Sequence, residues 1–174
     1  MINDRGVQMP KYTGACHCEA WNFQTDFEPM FLYQCNCESC RTLNDSLSIG
    51  ACYREGEFSF EGGQEVRYDY KGGSGQMMFT SFCPEYHVRL AVRPEILPEL
   101  VFIPLGIFSD PNIFKRIDLE IWTDTKLDLI HDQNCMDLSV ADSGTYWSVL
   151  SSSWYSITLL VEKKCGKGKT LNIK

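Results

Sequence analysis

Three cysteines fall within six residues in Cys35-Asn36-Cys37-Glu38-Ser39-Cys40, and a close pair, Cys16 and Cys18, lies upstream. In an extended strand, residues two apart share a face, so Cys35 and Cys37 can approach one ion together. A turn over Glu38 and Ser39 would bring Cys40 back to that ion. Three thiolates with no local fourth ligand describe a zinc centre that keeps one coordination position for substrate. Two other readings use the same residues: inert buried thiols and a metal-free, redox-sensing cluster. Three thiols at so tight a spacing favour metal. Cys52, Cys135 and Cys165 fit no ligand spacing and read as packing or surface thiols.

These ligands need a scaffold, and the chain is long enough to build one. At 174 residues, 44% apolar and 13% aromatic, it reads as a single folded domain and not as a disordered segment. The net charge of -7 gives no general attraction to nucleic acid or to an anionic membrane. Lys163, Lys164, Lys167 and Lys169 read as a solvated tail. Residues 1–10 lack the apolar core of a signal peptide, and the apolar run 154–161 is too short to span a bilayer. The expected setting is the cytoplasm, where reduced thiols favour metal over disulfides.

The pattern along the chain is mainly β. Trp21, Phe23, Thr25 and Phe27 alternate with polar residues, and residues 31–35 form a strand that runs into the cysteine triplet. Further strands are expected over 46–53, 57–60, 66–70, 76–82, 88–92 and 117–122. Lys71-Gly72-Gly73-Ser74-Gly75 reads as a flexible loop, and three prolines between residues 93 and 106 exclude a long helix there. Residues 146–161 fit two strands or a contact in a homodimer.

Cys83, at the end of an apolar strand, joins the two upstream groups in a recognisable order. Gly14-Ala15-Cys16-His17-Cys18-Glu19, then Cys35-Asn36-Cys37-Glu38-Ser39-Cys40-Arg41, then Phe82-Cys83-Pro84-Glu85-Tyr86-His87 resembles the motif series of the glutathione-dependent formaldehyde-activating enzyme family, which includes centromere protein V. The resemblance covers residues 12–131, which would form the zinc domain; 132–174 would be an unassigned C-terminal extension of it. It implies a β-tent fold of short antiparallel sheets around two zinc-cysteine sites. Cys16, Cys18 and Cys83 would serve the structural zinc, and Cys35, Cys37 and Cys40 the catalytic one. The implied activity is that of a carbon–sulfur lyase, joining a thiol such as glutathione to a small carbonyl or releasing it.

The chain departs from the family pattern at four places. Tyr86 stands where the family has its last cysteine, His87 and Glu19 replace glycines, and Asp45 replaces another. Three cysteines leave the structural site one ligand short of tetrahedral zinc. Either His87 supplies the missing ligand, or the site is empty and Tyr86 packs there, so one or two Zn²⁺ are expected. Asp45, His87 and Tyr86 are the candidate proton donors or acceptors of a divergent reaction, such as elimination or isomerisation on a larger substrate; Asp45 reads equally as an exposed turn residue. His17 points away from the metal on an extended strand, Glu38 faces solvent, and His131 stands alone. Arg41 would pair with a substrate carboxylate or balance the anionic metal site. The rival outside catalysis is a zinc-supported binding module with a closed site.

Overall fold

The computed structural model describes residues 10–44, 46–130 and 136–138. Asp45 and His131 lie outside the described residues, as do Cys135, Cys165 and the stretch 146–161. Among the described residues there are eleven strands and one α-helix, α1 (Glu38–Asn44). The mainly β class expected from the sequence is the class observed.

Three strands, β1 (Tyr12–Ala15), β2 (Trp21–Thr25) and β5 (Ser59–Gly62), make a small antiparallel sheet in the order β1-β2-β5. The others are β3 (Phe31–Cys35), β4 (Ser48–Arg54), β6 (Val66–Lys71), β7 (Met77–Phe82), β8 (Arg89–Pro94), β9 (Leu100–Pro104), β10 (Leu119–Ile121) and β11 (Met136–Leu138). They form one sheet in the order β11-β10-β3-β4-β9-β8-β7-β6. Its strands pair antiparallel from β3 to β6, but β10 runs parallel to both β3 and β11. The large sheet is therefore mixed, whereas the small one is antiparallel throughout. A parallel pairing needs a long crossover, and the chain between Cys35 and Leu119 supplies it by building the rest of the sheet.

Alternation divides the large sheet into two working faces. Leu32, Ala51, Tyr53, Val101 and Ile103 point to one side and pack with Phe23 of the small sheet. Tyr33, Cys35, Cys52 and Leu100 point to the other, joined by Cys37, Leu97 and Leu119. All five residues of β3 are buried, because this central strand is covered on both faces. The alternating face expected around Tyr68 behaves differently. It belongs to β6, the sheet edge, where nothing among the described residues covers it, and Val66 and Tyr68 are exposed while Tyr70 is half-buried.

Gly50 on β4 is required by close approach. A Cβ there would lie 2.6 Å from the Tyr33 hydroxyl and 2.7 Å from the Ile103 carbonyl oxygen. After β3 the expected turn over Glu38 and Ser39 is instead the first turn of α1, and the Arg41 amide donates to the Cys37 carbonyl at 2.9 Å. Glu38 in the first turn suits the positive end of the helix, and the Asn44 amide group bonds the Cys40 carbonyl at 2.6 Å near its end.

Candidate functional site

Cys35 closes β3, Cys37 precedes α1, and Cys40 sits one helical turn further on. Their sulfurs lie within 4.8 Å of one another. Zn–S bonds of ~2.3 Å in tetrahedral geometry would set sulfurs roughly 3.8 Å apart, so this donor set fits such an ion, with one position left over. The approach is reinforced by the backbone: the Cys40 amide points at the Cys37 sulfur at 3.4 Å.

The three thiols share their protons unequally. Hydrogen bonds from Cys35, then Cys40, together with backbone amides of Cys40 and Ser39, hold Cys37 down to about 3. Cys35 is pushed well up, chiefly by its hydrogen bond to Cys37, then by Cys40 and burial. At Cys40 the Cys35 hydrogen bond pulls down, but the Cys37 hydrogen bond, burial and the Cys37 charge outweigh it and push the thiol up to about 12. Without metal the trio is thus one thiolate and two thiols at neutral pH.

A buried polar frame holds this loop. Glu120 on β10 accepts from Gln34 at 2.7 Å, from Asn36 at 3.1 Å and from the Lys126 ammonium at 2.9 Å. The Asn36 amide also donates to the Ile121 carbonyl at 3.1 Å. Asn36, between the first two ligands, is therefore pinned from its side chain and its backbone. Gln34, Asn36 and Glu120 are all nearly inaccessible, and together they satisfy one another's polar atoms.

The trio opens onto a cavity of about 90 Å³, room for several waters or a small organic group. Its walls are largely apolar: Met78, Val92, Leu97, Phe102 and Trp122 line it, with the Gly72-Gly73-Ser74 loop opposite. Trp122 is held in the left-handed region at φ 61°, and a Cβ on Gly73 would come within 3.2 Å of its indole. Ser39 lines the cavity too, as do four polar residues carried on strands, Tyr33, Ser48, Tyr70 and Arg89. Arg89 donates to the Ser48 hydroxyl at 2.6 Å. Burial pushes the Tyr33 phenol well up, and burial followed by the nearby Cys40 pushes Tyr70 up to about 12. Both phenols keep their protons at neutral pH.

None of these four was singled out by sequence. Tyr33 carried a signal, since it lies two residues before Cys35 and so shares its face. Tyr70, Ser48 and Arg89 come from three other strands and carried none.

The second group also assembles. Cys16 and Cys18 follow β1 on the small sheet, and Cys83 follows β7 on the large one. Their sulfurs lie within 4.8 Å of one another, with Cys16–Cys18 at 3.2 Å and Cys18–Cys83 at 3.3 Å. The Trp21 amide points at the Cys16 sulfur at 3.3 Å. Backbone amides, first that of Tyr86, hold the Cys83 thiol down. The Ala20 backbone pulls Cys18 down, but hydrogen bonds from Cys16 and Cys83 outweigh it and push that thiol up to about 11.

Tyr86 and His87 stand at this second group and do not line the cavity. Tyr86 is exposed, its ring edge-on to that of His17 at 5.2 Å. His87 is exposed, its amide bonds the Cys83 carbonyl at 2.9 Å, and its side chain is not among the donor atoms of the cluster. Glu19 and His87 adopt φ of 59° and 54°. These two of the three replaced glycine positions are therefore left-handed, which is the conformation glycine supplies without strain. Cys52 is fully buried and takes part in no ligand group.

Comparison with known proteins gives one family. Residues 11–125 match the family described as glutathione-dependent formaldehyde-activating enzyme. No curated protein matches the chain. A crystal structure of a Rhodobacter sphaeroides protein, a structural-genomics target, is similar at 18% identity and a TM-score of 0.49, covering 62% of this chain and 98% of that one. Among the described residues no helix is long and apolar enough to cross a membrane.

Proposed function

The chain belongs to the glutathione-dependent formaldehyde-activating enzyme family, and on that premise we propose that it is a zinc-dependent carbon–sulfur lyase, forming or cleaving the adduct of a small thiol with an aldehyde. The observation that carries this reading is the opening of the Cys35, Cys37 and Cys40 sulfurs onto a cavity edged by two protonated phenols. A closed, purely scaffolding site would have no such cavity. Zn²⁺ held by these three thiolates would supply a position at which an incoming thiol is bound as thiolate at neutral pH.

The protein's own groups account for the rest. The apolar walls exclude bulk water from the aldehyde carbon, which limits hydration of the carbonyl. In the forward direction the sulfur–carbon bond forms, the carbonyl π bond breaks, and the oxygen takes up one proton. Tyr33 and Tyr70 present O–H groups to that oxygen and are assigned its stabilisation. Arg89 donates to the Ser48 hydroxyl, and both side chains line the cavity together with Tyr33.

Three of the four family departures bear on the second cysteine group. Glu19, Tyr86 and His87 all lie there and none of them lines the cavity. We assign Cys16, Cys18 and Cys83 to a structural Zn²⁺ whose fourth position is taken by solvent or by the His87 ring. A reducing compartment such as the cytoplasm suits a chain whose activity depends on free thiols.

The test is adduct formation between glutathione and formaldehyde, followed by NMR, in the wild type and Cys37→Ser. The expected loss is about 100-fold or more, with one equivalent of zinc lost per chain. Full activity in the zinc-depleted variant overturns the reading.

A further inference from the structure

Arg89 enters the cavity from β8 with no carboxylate paired to it among the described residues. Its Nη2 is committed to Ser48 at 2.6 Å, and its Nε is buried without a hydrogen-bond partner. A guanidinium offers five N–H groups in a rigid fork matched to a planar carboxylate. Arg89 is half-buried, and a desolvated N–H left without a partner is costly, whereas the Lys126 ammonium has Glu120 at 2.9 Å. The Ser48 bond fixes where the fork stands, so its remaining donors are oriented and unspent. The chain as a whole carries -7, so a negatively charged substrate would be drawn in by a local cation and not by the general field.

We infer that Arg89, held by Ser48, is the subsite for a carboxylate on the substrate, so that the thiol taken at Cys35, Cys37 and Cys40 is a carboxylate-bearing one. This rests on the zinc–thiol reading above. The substrate then spans the cavity with its sulfur at the trio and its carboxylate on the guanidinium. Neutral thiols of similar size enter the same space but leave the fork unpaired. The alternative role for Arg89 is to offset the negative charge of the metal trithiolate, which would favour every thiol alike.

The experiment is binding, read independently of turnover. Cobalt is substituted for zinc, and its visible spectrum is titrated with 3-mercaptopropionate and with 2-mercaptoethanol. The wild type is expected to bind the carboxylate thiol about tenfold or more tightly than the neutral one. Arg89→Gln is expected to abolish that preference while still binding 2-mercaptoethanol, and Arg89→Lys to keep part of it, because it retains charge without the fork. An unchanged preference in Arg89→Gln overturns the inference, as does an equal loss for both thiols. If Arg89→Gln does not fold, Arg89→Lys decides: a preference equal to the wild type's overturns the fork, and a reduced one supports it. If neither thiol perturbs the wild-type spectrum, the zinc–thiol reading itself fails. That outcome is distinct from a loss of preference alone.

Discussion

The most informative residue is Cys37, because its environment separates it from two thiols that share its site. It is the group held as thiolate before any metal arrives, at about 3, whereas Cys40 is pushed up to about 12. Metal-free, reduced protein exposed to iodoacetamide at pH 6 should therefore label Cys37 first. Peptide mass spectrometry is expected to show it ahead of Cys40 by about tenfold, although Cys37 is the less exposed of the two. Equal labelling would show that the hydrogen bonds do not set the order. The sign also fixes how metal loading responds to acid. Binding a divalent ion must displace the protons on Cys35 and Cys40, so affinity at this trio falls as pH falls through the neutral range.

At the scale of elements, Glu19 and His87 lie in short connections forced into a left-handed conformation. An L-residue there costs roughly 1–2 kcal/mol, part of which glycine returns through its freer unfolded chain. Glu19→Gly and His87→Gly should each stabilise the fold by about 0.5–1 kcal/mol in denaturant unfolding. The His87 variant carries a second readout, because retained zinc at the Cys16, Cys18 and Cys83 group would remove the imidazole from its ligands. Gly50 on β4 gives the opposite result. Gly50→Ala drives a Cβ against the Ile103 carbonyl, which cannot step aside, and against the Tyr33 hydroxyl. The expected cost is about 1–3 kcal/mol, with a loss of activity larger than the stability change explains, since Tyr33 lines the cavity.

For the molecule as a whole, the two cysteine groups differ in what they join. Cys35, Cys37 and Cys40 are local to one strand end and one helix, whereas Cys16, Cys18 and Cys83 bridge the small sheet and the large one. Metal bound at the second group would act as a clip between sheets, so chelation should then lower the melting temperature even in a variant lacking Cys37. The Glu120 frame closes the large sheet in a comparable way by fastening parallel β10 to β3. Glu120→Ala leaves Lys126, Gln34 and Asn36 buried without their shared acceptor. Its expected cost is about 3–5 kcal/mol, read as unfolding free energy, and an effect below about 1 kcal/mol would mean that water replaces the carboxylate.

The sequence by itself determined the mainly β class, most strand positions and both cysteine groups, because alternation and ligand spacing are local properties of the chain. It missed the helical start at Glu38, since one turn of helix and one tight turn return Cys40 to the same place. It placed Glu120 only within an expected strand over 117–122, whereas its burial follows from Gln34 and Asn36 lying 84 residues or more away. Only the tertiary structure decided which residues share the cavity. Tyr33, Ser48, Tyr70 and Arg89 come from four strands and meet because sheet order places them together, and no spacing rule encodes a meeting between strands so far apart in sequence. The same order set Tyr86 and His87 at the inter-sheet cysteine group and not on the cavity wall, a choice that motif reading left open by offering both residues for either role.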